Sequence, residues 1–224
     1  MYIRCCEQYF DGKEPQIKHQ WVDMNQISKH MPDAVISSED AHFMEHNGFD
    51  EKAILQARLV ALKGGKERGA SSISQQTAKN VFLWQGHSWV RKGLEAYFTF
   101  LIEKIWGKER IMEVYLNSIE MGDGIYGVQA CANKNFHKNA SELTQSDAAL
   151  IAATLPNPLK FDSAHPTKYL EKRCKQIVAG MNYMRNNNKA PDWGVDPATI
   201  KHDATPQDGQ KSNKKSKKSN KKKR

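Results

Sequence analysis

Two polar stretches hold the side chains best suited to chemistry. The first, from Glu39 to Asp50, reads Glu-Asp-Ala-His-Phe-Met-Glu-His-Asn-Gly-Phe-Asp. Glu39 follows the apolar run Ala34-Val35-Ile36. An apolar wall penalises a carboxylate's charge, which suits a general base. The plainer reading puts Glu39 in a polar turn before a helix, where the macrodipole favours an acid. Asp40 can cap locally. His42 and His46, four apart, are either a metal pair or hydrogen-bonded histidines. The second stretch, from Gly69 to Asn80, reads Gly-Ala-Ser-Ser-Ile-Ser-Gln-Gln-Thr-Ala-Lys-Asn. Its small residues let backbone N–H groups approach an anion at a helix start. Ser71, Gln75, Gln76, Lys79 and Asn80 add polar groups and one fixed positive charge. No nucleotide P-loop is present, since that motif closes a longer glycine loop with Gly-Lys-Ser/Thr. A third patch, Arg91-Lys92-Gly93-Leu94-Glu95, offers more anion contacts and a second carboxylate. It could equally be a surface Arg91–Glu95 pair worth ~0.3–0.5 kcal/mol. A chain with both kinds of site could remove a proton at one place and steady a phosphate at another.

Helices must position these groups. Residues 50–62 alternate apolar and charged positions at helical spacing, with Ile54, Leu55, Leu59 and Leu62 near one face, and Gly64-Gly65 ends them. Ser72 with Gln75 three residues on forms a capping box, so the spacing predicts a helix from Ile73 to about Trp84. Gln75 and Lys79 then share a face. Ser88 can cap the next helix, Trp89 to about Trp106, which is apolar over most of its circumference. A short helix around Glu109–Leu116 leads to a glycine-rich loop over 122–127. Thr144 with Asp147 opens a helix over Gln145–Leu155 that Pro156 and Pro158 stop. The last helix spans Thr167 to about Arg185, with Leu170, Cys174, Ile177, Val178 and Met181 inward. Nothing alternates convincingly at period two, so the fold class is mainly α.

Composition narrows the function classes. The chain has 224 residues and a net charge of +9, but residues 211–224 alone hold eight lysines and one arginine. Without those nine, 25 basic residues balance 25 acids, so the body is neutral. The Lys/Ser/Asn run cannot build a core and is expected to be disordered. It could contact anionic lipid, nucleic acid or an acidic polymer, or merely solubilise. Cys5, Cys6, Cys131 and Cys174 fit no zinc spacing and suggest no disulfide framework. No apolar run reaches the ~18 residues of a membrane span, and no signal peptide is recognisable. Four segments are expected: a lead-in (1–25), one domain (26–187), a linker (188–210) and the tail (211–224).

In their order, the polar blocks resemble the glycosyltransferase domain that polymerises peptidoglycan, glycosyltransferase family 51. That family's motifs are similar to Glu-Asp-x-x-Phe-x-x-His-x-Gly, then Gly-Gly/Ala-Ser-Thr-Ile-x-Gln-Gln-x-x-Lys-Asn, then Arg-Lys-x-x-Glu. A fourth resembles Ile111-Met112-Glu113-Val114-Tyr115-Leu116-Asn117, and a fifth resembles Ala148-Ala149-Leu150 through Leu155-Pro156-Asn157-Pro158. The match runs from about Gln26 to Arg185, with no transpeptidase domain after it, as in the monofunctional members. The resemblance implies a lysozyme-like fold with a larger head lobe and a smaller membrane-facing jaw. It implies lipid II and the growing glycan chain as substrates, with undecaprenyl pyrophosphate leaving, on the periplasmic face of the inner membrane. Glu39 would deprotonate the acceptor hydroxyl. Lys79, Arg91 and Lys92 would hold the pyrophosphate, directly or with a divalent cation (Mg or Mn), and no organic cofactor is implied. Glu95 would assist departure, through that cation if it binds one. Asp40, Phe43, His46, Ser71, Gln75, Gln76 and Asn80 would line the cleft, and Glu113 would support Lys79 or the cleft.

Two positions depart from the family pattern. Ser72 stands for the usual threonine, and His87, which the resemblance places among the substrate-binding residues, stands where relatives often carry an arginine near the pyrophosphate. The family's N-terminal membrane helix has no counterpart in the sequence. Residues 94–106, with Trp84 and Trp89, could seat the jaw on a bilayer or simply fill the core. Cell-wall synthesis or division proteins are possible partners. A lysozyme-like hydrolase or lytic transglycosylase is the nearest rival, but it has no pyrophosphate for Lys79, Arg91 and Lys92 to grip. A nucleic-acid module using the tail would leave five motifs without purpose, so no nucleic acid is expected.

Overall fold

The computed structural model describes residues 2–200 except 13, 66–70, 85 and 87, with side chains from residue 4 onward. The lysine-rich tail, Gly69, Ala70 and His87 therefore lie outside the described residues. Among those described, nine α-helices dominate: α1 (Tyr2–Phe10), α2 (His30–Glu39), α3 (Glu51–Leu62), α4 (Ile73–Phe82), α5 (Trp89–Ile105), α6 (Gly107–Ser118), α7 (Val128–Cys131), α8 (Gln145–Thr154) and α9 (Lys168–Asn186). Local chemistry sets several of their starts. The hydroxyls of Ser72, Ser88, Thr144 and Thr167 each accept a backbone N–H three residues on, satisfying donors a helix start leaves open. Ser72 and Thr144 complete capping boxes with Gln75 and Asp147. The chain is mainly α, as the patterning predicts.

Helices α2, α8 and α9 pack on one another, as do α4, α5 and α6. One continuous core joins the two sets, running from Ile27, Met31 and Ile36 through Ile73 to Ile111 and Ile151. Part of the lead-in belongs to that core. Val22 and Met24 are buried, and the Asn117 side chain brackets Val22 by accepting its N–H at 3.0 Å and donating to its carbonyl at 2.9 Å. Strand β1 (Lys18–His19) pairs parallel with β3 (Ile125–Tyr126), which pairs antiparallel with β2 (Glu120–Gly122). The expected glycine loop is thus a tight hairpin. Gly124, at φ +71°, passes so close to Gln16 that a Cβ would lie 2.0 Å from its carbonyl oxygen.

Helix α5 bears on the two sequence readings of its apolar residues. Its buried face is Arg91, Glu95, Thr99 and Ile102, whereas Trp89, Val90, Tyr97, Phe100 and Ile105 face outward. The polar side is turned in and the apolar side out, so core burial does not explain these apolar residues. Helix α3 also buries nothing: Ile54, Leu55, Leu59 and Leu62 are all exposed. Phe82 of α4 stacks on Phe98 of α5 at 4.8 Å between ring centroids and lies 5.9 Å from Trp106.

Candidate active site

Glu39 is the last residue of α2, not a member of a turn preceding a helix. That placement overturns the plainer sequence reading, because a helix C-terminus disfavours a carboxylate instead of stabilising it. Two donors offset this. Ser38 Oγ reaches Glu39 Oε1 at 3.2 Å, and Gln76 Nε2 reaches Oε2 at 3.2 Å. Arg173 of α9 donates to the Ser38 carbonyl at 3.3 Å, satisfying one of the acceptors that the helix end leaves open.

Asp40 turns the chain away. It is buried and accepts the Ile73 N–H at 3.0 Å, which ties the end of α2 to the start of α4 across 33 residues. His46 Nε2 lies 3.0 Å from both Asp40 oxygens, and His46 Nδ1 accepts the Gly48 N–H at 3.1 Å. The tautomer follows: Nε2 carries the proton and donates to Asp40. Gly48 has φ +95°, and a Cβ there would lie 2.8 Å from Thr99 Cγ2. Its carbonyl accepts the Ser72 hydroxyl. Phe43 is fully buried, edge-on to His46, with the Lys108 ammonium 4.5 Å from its ring centroid. Asp40, Phe43, His46 and Gln75, predicted to line a cleft, are therefore the frame beneath it. Gln75 is buried and occupied by the capping box.

Further along α4 the charge changes sign. Lys79, Arg91, Lys92 and Glu95 form one group. Arg91 Nη1 lies 3.5 Å from Glu95 Oε2, and Lys92 Nζ bonds Glu95 Oε1. Burial lowers the Lys79 pKa; Glu95 opposes that shift, while Arg91 and Lys92 add to it. Three cations around one carboxylate leave a net charge of about +2 in a partly desolvated place. Arg91 Nε is buried with no hydrogen-bond partner. Such a group suits a polyanion. Both oxygens of Glu95, the candidate ligand for a divalent cation, face Arg91 and Lys92. Among the described residues no cluster of three or more acidic, histidine or cysteine ligands occurs.

Other predicted residues fall apart from this group or on its rim. Ser71 and Asn80 are exposed. Glu113 does not support Lys79: it accepts the Met24 N–H at 3.2 Å and pairs with Arg110, holding the lead-in against α6. His42 pairs with Glu45 at 3.1 Å, so the two histidines have separate carboxylate partners and form no metal pair. Sequence reasoning missed Tyr115 and Arg173. Tyr115 is fully buried and donates to Gln76 Oε1 at 3.2 Å. Its place inside the fourth motif was the available signal, whereas Arg173 gave none.

The sequence profile of the transglycosylase family matches residues 7–182. The chain is 60% identical to the biosynthetic peptidoglycan transglycosylase of Bacteroides thetaiotaomicron over 182 residues, covering 81% of this chain and 73% of that protein. It is 45% identical to the protein of that name from Pseudomonas syringae pv. syringae, over 86% of this chain and 84% of that one. With the Caulobacter vibrioides protein it shares 52% identity, over 78% and 76%. By both measures the chain belongs to the transglycosylase family.

Proposed function

We propose that this chain is a peptidoglycan glycosyltransferase that lengthens glycan strands from lipid II. The observation that carries the reading is the polarity along α4. A carboxylate acceptor of protons sits at Gln76, and a cationic cradle sits at Lys79, roughly 4.5 Å further along the helix axis at 1.5 Å per residue. In the reaction, Glu39 takes the proton of the acceptor sugar hydroxyl. The resulting oxygen nucleophile bonds to the anomeric carbon of the growing chain. The bond from that carbon to the diphosphate oxygen breaks, and undecaprenyl pyrophosphate leaves with the electron pair. Lys79, Arg91 and Lys92 stabilise the charge gathering on it, as preorganised cations do where charge develops. Glu95 keeps Arg91 and Lys92 in position. A cleaving enzyme would protonate a sugar leaving group and has no use for this cradle.

Substrate and location follow from the same reading. No helix among the described residues is long and apolar enough to cross a membrane. The outward apolar faces of α3 and α5 support a jaw that rests on the bilayer carrying the lipid substrate, at the periplasmic face. Purified protein incubated with lipid II should yield glycan polymer resolved by gel electrophoresis, and Glu39→Gln should yield none. Digestion of preformed cell wall without polymerisation would replace this reading with the hydrolase.

A further inference from the structure

We propose that Tyr115 is a positioning residue for the reaction, acting through the Gln76 amide to keep its donor aimed at Glu39. The proposal rests on the reading of Glu39 as the base. Tyr115 lies on α6 with no exposed surface, and its hydroxyl donates to Gln76 Oε1 at 3.2 Å. The same amide donates from Nε2 to Glu39 Oε2 at 3.2 Å. A glutamine side chain can turn over, exchanging oxygen and nitrogen. Turned over, its oxygen would face the carboxylate oxygen, an acceptor against an acceptor. The phenol prevents this by giving Oε1 a proton to accept. Burial first, and then the nearby charges of Glu39 and Asp40, hold the Tyr115 pKa well above the ordinary phenol value, so the hydroxyl keeps its proton. The charged groups around this relay are Asp40 beside Glu39 and Arg173 from α9.

The amide nitrogen also faces the Ser71 carbonyl at 3.4 Å, a second acceptor on the Glu39 side. Phenylalanine at 115 takes from Oε1 its buried donor, while every other contact of the ring remains.

The test combines kinetics with a spectroscopic readout. Tyr115→Phe should lower kcat for lipid II polymerisation roughly tenfold, the loss of one buried hydrogen bond, and leave KM unchanged. On a Gln76→Met background the same change should do nothing further, since its route is gone. With glutamine side chains labelled by 15N, the Gln76 amide protons should exchange slowly with water in the unmutated protein and quickly in Tyr115→Phe. Full kcat in Tyr115→Phe, or an equal loss on both backgrounds, would overturn the proposal. So would free exchange of the Gln76 amide in the unmutated protein, a measurement that stands even if Tyr115→Phe does not fold. Retained polymerisation by Glu39→Gln with a slowly exchanging Gln76 amide would sink the base and leave the hydrogen-bonded relay without a catalytic role.

Discussion

The outward apolar side of α5 makes a prediction that separates membrane contact from folding. Ile105 is 72% exposed and Ile102, three residues earlier on the same helix, is 2% exposed. Fully burying such a side chain is worth ~1.5–3 kcal/mol. At about seven-tenths of that, seating Ile105 in a bilayer interface contributes about 1–2 kcal/mol. Ile105→Ser should therefore weaken partitioning onto lipid vesicles by about 5- to 30-fold, at 1.4 kcal/mol per tenfold. Because the side chain packs on little, the melting transition should stay within about 0.5 kcal/mol of the unmutated protein. Ile102→Ser should do the reverse, destabilising the fold by about 2–5 kcal/mol through a cavity and a buried hydroxyl. Vesicle co-sedimentation and denaturant unfolding measure the two effects. Equal vesicle binding of Ile105→Ser and the unmutated protein would refute the reasoning, as would a loss of stability comparable to that of Ile102→Ser.

Glu39→Gln should lower polymerisation at least about 100-fold with unfolding unchanged, measured by lipid II turnover and circular dichroism. Lys79 has a pKa lowered from 10.5, so its charge is lost earlier as pH rises than that of an exposed lysine. Affinity for a pyrophosphate-bearing donor analogue should fall through that lowered value, and titration calorimetry from pH 7 to 10 will detect it. The same sign applies to stability. The unfolded chain binds the Lys79 proton more tightly, so folding stability should rise with pH between the lowered value and 10.5, and Lys79→Met should erase that rise. Asp40→Ala, which strips α4 of its Ile73 acceptor and His46 of its partner, should cost about 1.5–3 kcal/mol of stability, read by denaturant unfolding. Chelation by EDTA should reduce turnover less than Lys79→Ala, since the cradle's own charges face the leaving group.

Helix starts were legible because capping is local: Ser72 with Gln75, or Thr144 with Asp147, needs only four residues of sequence. The helix periods were legible too, but a period says which residues share a face and not which face turns inward. That is why the apolar residues of α5 could be read as either core or membrane contact, while the helix in fact buries Arg91, Glu95 and Thr99. The lead-in was misjudged for a related reason. What fixes Val22 is the Asn117 side chain, 95 positions away, and no local pattern announces it. At the site, residue types singled out Glu39, Lys79, Arg91 and Glu95 as candidates and the resemblance gave them roles, yet the division between lining and frame came only from burial. Phe43 and Gln75 look like their neighbours in sequence and sit beneath the cleft.

Helix α3 carries a consequence of its own. It has twelve residues, none of them buried, and its cap is the Asp50 carboxylate accepting the Ala53 N–H at 2.9 Å. Isolated helices shorter than ~12–15 residues are marginal in water. Opening of residues 51–62 should then need far less free energy than global unfolding, making the segment a separate cooperative unit. Its amides should exchange with deuterium in buffer long before those of α8, and proteases should nick there first. On a lipid surface the exposed leucines would gain a partner, and the same amides should become protected. The catalytic body would stay folded throughout, while this one arm acquires order from the membrane it meets.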